Sequence, residues 1–138
     1  MAEPRVRFEL ATPNRLVVSE EVDEVVAPGV QGYFGVWAGH VPFLTSLRSG
    51  EVAYRVGRAE QYLAVSGGFA EVGGDRVTIL AEHAERPEEI DQERALRARQ
   101  RAERRLEGKA QEEIDYVRAL AAFSRALARL HVAGRVSR

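Results

Sequence analysis

Cysteine is absent from the 138 residues, which excludes a disulfide scaffold, a thiolate metal site and a cysteine nucleophile. Histidine is almost as scarce. His40, His83 and His131 lie too far apart in sequence for spacing to suggest a metal site, and none is expected. No apolar run approaches the roughly 20 residues that a membrane-spanning helix requires. The opening MAEPRVRFEL lacks the pattern of a signal peptide, so the expectation is a soluble protein of the cytoplasm or a matrix-like compartment. The formal net charge is only −1, which provides no global field for nucleic acid or an anionic membrane. Catalytic motifs are missing as well: there is no phosphate loop, no G-x-S-x-G elbow and no H-E-x-x-H. Gly29, Gly32 and Gly35 are spaced three apart, but no helical pattern follows them, which argues against a dinucleotide fingerprint. His40 has no carboxylate or nucleophile near it in sequence, so a turn histidine is the simpler reading than a catalytic base.

Composition breaks at Pro87. Of the 12 glycines, all but Gly108 and Gly134 precede it, and no proline follows it. Residues 1–87 carry 8 basic against 12 acidic side chains, and residues 88–138 carry 12 against 9, so a near-neutral chain is polarised end to end. The first part alternates with period two. Val6, Phe8 and Leu10 face one way while Arg5, Arg7 and Glu9 face the other, and Val52, Tyr54 and Val56 repeat the pattern. QYLAV, Ser66-Gly67-Gly68, FAEV, Gly73-Gly74-Asp75 and RVTIL read as strands separated by turns. Short strands with nothing helical between them predict an antiparallel sandwich or barrel.

After Pro87 the period becomes helical. Ala95, Ala98, Ala102 and Leu106 share one face, and Leu120, Phe123, Leu127 and Leu130 share another, with Gly108 and Gly134 as stops. A short connection between two such helices predicts an antiparallel hairpin, so the fold class is α+β: a β-sandwich over 1–86 followed by a two-helix hairpin over 87–138. Burying a seam that is mostly alanine releases little free energy, so the hairpin can leave its resting place without unfolding the sandwich. Nineteen of the 20 basic residues are arginine, and eleven of those lie after Pro87. Arg94 and Arg101 share a helix face, as do Arg125 and Arg129, and the hairpin brings the pairs together. They are either a phosphate-binding cluster of guanidinium forks or a solvated face with intrahelical pairs.

The order and spacing of GYFGVWAGHVPFL (Gly32 to Leu44), AVSGGFAEV (Ala64 to Val72), VTILAEHAER (Val77 to Arg86), IDQERA (Ile90 to Ala95) and AERRL (Ala102 to Leu106) resemble the epsilon subunit family of bacterial F-type ATP synthases, the delta subunit of mitochondria. The resemblance covers essentially the whole chain. It implies a sandwich of about ten strands docked on the gamma subunit beside the c-ring. It also implies a mobile hairpin that lies on the sandwich or extends along gamma toward the catalytic beta and alpha subunits. On that resemblance the chain is a non-catalytic rotor subunit that couples c-ring rotation to the catalytic head and restrains ATP hydrolysis. It would be held at the cytoplasmic face of the membrane through its complex.

Family members often read G-E-L-G-I-x-P-G-H; here Tyr33 stands in place of the acid and Ala38 in place of the proline, while His40 and Pro42 are kept. The partner interface expected from this segment comprises Gly32, Tyr33, Phe34, His40 and Pro42, with Trp37 and Phe43 assigned to the core. IDQERA matches the I(L)DxxRA pattern through which some family members bind ATP when the hairpin is folded down. The resemblance thereby implies a regulatory ATP site of Glu85, Ile90, Asp91, Arg94, Ala95, Arg101, Arg125 and Arg129, with no cofactor required. Two other readings compete. A stand-alone Arg-rich nucleic-acid-binding module conflicts with the acidic sandwich and the interleaved glutamates. A small sandwich enzyme would need a convergent polar pocket that the sequence does not reveal.

Overall fold

The computed structural model describes residues 4–108 and 113–137. Eight strands are found among them: β1 (Val6–Ala11), β2 (Leu16–Val22), β3 (Glu24–Gly29), β4 (Gly32–Val36), β5 (Phe43–Ser46), β6 (Gly50–Val56), β7 (Ala59–Val72) and β8 (Arg76–Glu85). They hydrogen-bond in the order β2-β1-β8-β7-β6-β3-β4, with β5 on the far half of β7. All pairs are antiparallel except β1 with β8, which run parallel because the whole intervening chain serves as their connection. Alternation in β1 works as its sequence predicts: Val6, Phe8 and Leu10 are fully buried. Inward residues of β1, β2, β3, β4, β6, β7 and β8 meet in one cluster, which a flat sheet could not achieve, so the sheet wraps into a sandwich around its own core.

Eight strands stand where about ten were implied, and β7 supplies part of the reason. QYLAV and FAEV are one strand of 14 residues, and Ser66-Gly67-Gly68 is a bend within it instead of a turn. Gly67 and Gly68 take φ of 69° and 118°, which bends the strand without breaking its register with β8. The first half of β7 therefore pairs with β6 and the second half with β5. Trp37 also departs from expectation. It lies beyond the end of β4, is 56% exposed, and stands edge-on to His40 at 5.8 Å. Phe43 packs against the core with Phe34 edge-on at 5.1 Å.

A 3-10 turn at Pro87–Glu89 leads into α1 (Gln92–Glu107), and α2 (Glu113–Ala133) folds back against it before a last 3-10 turn at Gly134–Ser137. Asp91 caps α1, its Oδ1 accepting from the Arg94 N–H at 3.0 Å. The seam consists of Ala95 and Ala102 of α1 with Ala119 and Ala126 of α2, a seven-residue spacing on each helix. The leucine stripe expected to be buried in α2 is not: Leu120 is 45% and Leu127 41% exposed, while Phe123 and Leu130 are half-buried. Alanines let the helix backbones approach closely. Each of these leucines follows a seam alanine by one residue, about 100° around the helix, and so faces outward.

The hairpin lies on the sandwich, with α2 against β6 and β7. Ile90, Val132 and Ala133 cover Ala64, with Tyr62 at the edge, in a small cluster separate from the main core. The base of the hairpin is tied by a polar knot. Arg15 donates to Glu89 at 3.0 Å, Glu89 accepts from the Arg86 N–H at 2.8 Å, and the Arg86 guanidinium reaches the Tyr54 hydroxyl at 3.1 Å. Arg15, followed by the Arg86 N–H, holds the Glu89 carboxyl below the usual carboxylate range.

A second carboxylate pins the corner between β2 and β3 to the turn after β6. Asp23 accepts from the Gly57 N–H at 2.6 Å and from Arg5 at 3.2 Å, and these bonds lower its pKa, the Gly57 bond most. A lowered acid contributes stability that is present above the unfolded value, about 3.9, and is lost as pH falls through the folded one. Asp23→Asn should therefore lower the thermal midpoint at neutral pH and reduce its further fall below about pH 4. An unchanged midpoint at neutral pH would show the contact to be idle.

Candidate functional site

Between the hairpin and the sandwich lies a cavity of about 550 Å³, within the usual range for a small-molecule ligand. The alanine seam makes room for it: Ala98 and Ala102 of α1 and Ala122 and Ala126 of α2 leave its helical wall without bulk. Around that wall stand Arg94, Arg101 and Arg105 from α1 and Arg125 and Arg129 from α2. The sandwich supplies the opposite side, with Thr12, Asn14 and Arg15 from the connection after β1, Ser66 from β7, and Glu82, His83 and Glu85 from β8. His83 Nδ1 lies 3.2 Å from the Ser66 hydroxyl.

Charge in the cavity is unbalanced. Six arginines line it against two glutamates. Arg129 is engaged, donating through Nε to Glu85 at 2.7 Å and through a terminal nitrogen to the other carboxylate oxygen at 3.1 Å. Among the described residues, no carboxylate lies within 4.0 Å of Arg94, Arg101 or Arg125. Converging guanidinium forks without acidic partners favour a polyanion such as a nucleotide phosphate chain.

Of the expected ATP-site residues, the structure brings Glu85, Arg94, Arg101, Arg125 and Arg129 to this cavity. Ile90 is buried beneath α2, Asp91 is used by the α1 cap and Ala95 is buried in the seam, so these three are not among its lining residues. Arg105 is an addition with a visible signal, since it continues the Arg94–Arg101 stripe four residues on. Arg15, Ser66 and His83 gave none, because only the fold brings them opposite the helices.

The residues expected at a partner interface are divided. Gly32 and Pro42 are exposed, and Tyr33 is half-exposed with its hydroxyl accepting from the Glu51 N–H at 3.0 Å. Phe34 packs on the core. The His40 ring sits between Trp37 and Phe43, with Nδ1 3.0 Å from the Val41 carbonyl. Beside this segment, Leu44 on β5 and the cross-strand neighbours Phe69 and Leu80 leave large apolar side chains on the outer face of the sheet. No group of three or more metal-ligating side chains is found among the described residues, and no helix there is long and apolar enough to cross a membrane.

Comparison with known proteins agrees with this architecture. The family described as "ATP synthase, Delta/Epsilon chain, beta-sandwich domain" matches residues 5–87, and "ATP synthase, Delta/Epsilon chain, long alpha-helix domain" matches 88–134. The ATP synthase epsilon chain of Citrifermentans bemidjiense is 49% identical over 138 residues, covering 100% of this chain and 99% of that one. That of Syntrophobacter fumaroxidans is 54% identical over 106 residues, 77% of this chain and 78% of its own. A chain in the Euglena gracilis mitochondrial ATP synthase (OSCP/F1/c-ring) has the same fold, with a TM-score of 0.82 at 24% identity over 95% of this chain and 82% of that one. With both domains matched in order and relatives aligned from end to end, the chain belongs to the ATP synthase delta/epsilon family.

Proposed function

We propose that the hairpin is the moving, regulatory part of this epsilon-type, non-catalytic central-stalk subunit, and that ATP bound in the arginine-lined cavity holds it down. The sandwich would dock on gamma and the c-ring and turn with them. Tyr33, His40 and Pro42, with the exposed apolar face of Leu44, Phe69 and Leu80, offer contact area for those partners. The hairpin, when extended, would reach the beta and alpha subunits and restrain ATP hydrolysis. The complex would keep the subunit at the cytoplasmic face of the membrane.

The convergence of Arg94, Arg101 and Arg125 on one cavity carries this reading, because the two helices assemble it with the sandwich only in the folded-down arrangement. A ligand bridging them selects that arrangement. The second face of α2 supports the other state. Tyr116, Val117, Leu120 and Leu127 remain exposed while the hairpin is down, so a large apolar surface awaits a different partner.

Affinity decides how strong the switch is. The stabilisation of the bound state is RT ln(1 + [L]/Kd), which is only about 0.4 kcal/mol at millimolar ATP for a millimolar constant, but about 4 kcal/mol for a micromolar one. Calorimetry should detect ATP binding by the isolated chain. Arg94→Ala and Arg125→Ala should each weaken it about tenfold or more, the expected effect of removing a charged hydrogen bond. Equal heats and affinities in all three proteins would return the arginines to a solvated face.

A further inference from the structure

A second junction between hairpin and sandwich lies away from the arginine cavity, at the chain's last turn. Arg135 donates through Nε to one Glu51 carboxylate oxygen at 3.0 Å and through a terminal nitrogen to the other at 2.8 Å. Its guanidinium also stacks over the Tyr62 ring, 4.1 Å from the centroid. His131, one helical turn earlier, brings Nε2 within 3.6 Å of the same carboxylate. The pair is shielded: the Glu51 side chain is 13% and that of Arg135 24% exposed. A bidentate, stacked and partly desolvated pair holds geometry far better than an exposed one.

Glu51 is itself held from the other side. Its N–H donates to the Tyr33 hydroxyl, which projects from β4 across Pro28 into space left by Gly50. A Cβ at Gly50 would stand 2.7 Å from that hydroxyl and 2.8 Å from the Pro28 Cβ, so only glycine admits it. One chain of contacts thus runs from the half-exposed Tyr33 ring, through Glu51, to the end of α2.

We propose that Arg135 and Glu51 form a nucleotide-independent catch that keeps the hairpin on the sandwich, and that Tyr33 sets the position of the carboxylate from the β3–β4 edge. The inference rests on the hairpin mobility proposed above but not on ATP binding. The catch grips the C-terminal end of α2, while the knot of Arg15, Arg86 and Glu89 grips the start of the hairpin. The two grips lie side by side, because α2 folds back to the start of α1, where Gln92 donates to the Ala133 carbonyl at 3.4 Å. Opening the catch would leave the base knot as the tie at this end. A neighbouring subunit that displaced Tyr33 would disturb the catch without touching the helices.

Because the chain has no cysteine, an introduced thiol is its only one. Val132→Cys places a thiol on α2 against Ala64 and Ile90, fully buried and off the cavity lining, where reagent arrives when the hairpin end lifts. Val52→Cys, in the main core, reports global unfolding. In the full chain without nucleotide, Arg135→Ala and Glu51→Gln should each raise Val132→Cys labelling about tenfold, and Tyr33→Phe about threefold, leaving Val52→Cys labelling unchanged. The double variant should label about as fast as either single one, the signature of a direct pair. Labelling indifferent to Arg135→Ala, or additive in the double variant, would overturn the catch alone. Val132→Cys labelled no faster than Val52→Cys in every variant would overturn both the catch and the hairpin's mobility.

Discussion

Removing residues 88–138 should leave a folded sandwich and raise the ATP hydrolysis of a synthase that carries it severalfold. The sandwich can stand alone because none of the residues in its main core belongs to the hairpin. Phe8, Leu10, Leu63 and Ile79 are all fully buried within it. What the hairpin adds is small by comparison. Burial of Ile90 and Val132 contributes roughly 1.5–3 kcal/mol each, and the alanines add little. The ion pairs from Arg129 and Arg135 orient the helices but cost desolvation to form. A weakly held hairpin of net positive charge is suited to change partners, and its loss removes the proposed restraint without removing the docking surface. Thermal unfolding of residues 1–87 and the hydrolysis rate of the assembled complex measure the two halves of this expectation. Hydrolysis that stays the same across ATP concentrations, with the truncated subunit shown to be incorporated, would sink the inhibitory role. A truncated chain that does not fold would sink the two-part architecture.

Gly68→Ala should cost about 3–5 kcal/mol, a large share of the stability of an ordinary domain. Gly68 sits at φ 118°, where side chains are strained, and an added Cβ would lie 2.1 Å from the Leu80 carbonyl oxygen and 2.8 Å from the Ala81 Cα. Both obstacles are backbone of the neighbouring strand, so neither can turn aside. The β7 bend would have to open, and with it the bond from the Leu47 N–H to the Gly68 carbonyl at 2.8 Å that carries the chain from β5 toward β6. Gly74→Ala is the matched control. Nothing lies within 4 Å of its would-be Cβ, and its expected effect is within about 0.5 kcal/mol. Urea unfolding of both variants reads the difference. Equal midpoints would show that the bend tolerates a side chain and that β7 is not the rigid spine of the sandwich.

Several features could be read from residues near one another in sequence. Alternation in Val6, Phe8 and Leu10 marks a strand with one buried face, and the loss of proline and scarcity of glycine after Pro87 mark the change to helices. The seven-residue spacing of Arg94 and Arg101, and the four-residue spacing of Arg125 and Arg129, marks shared helix faces. In each case the local repeat of the backbone sets where a side chain points. Tertiary structure decided what those faces meet. Ser66-Gly67-Gly68 has the composition of a turn, yet pairing with β8 on both sides draws it into one bent strand. Periodicity identifies an apolar stripe on α2 but cannot show that Ala119 and Ala126 suit the close seam while Leu120 and Leu127 are left outside. Arg15 at the cavity, and Glu51 beneath Arg135, lie dozens of residues from the helices they meet. No local pattern encodes such encounters, because they arise only when a wrapped sheet and a returning helix bring distant surfaces together.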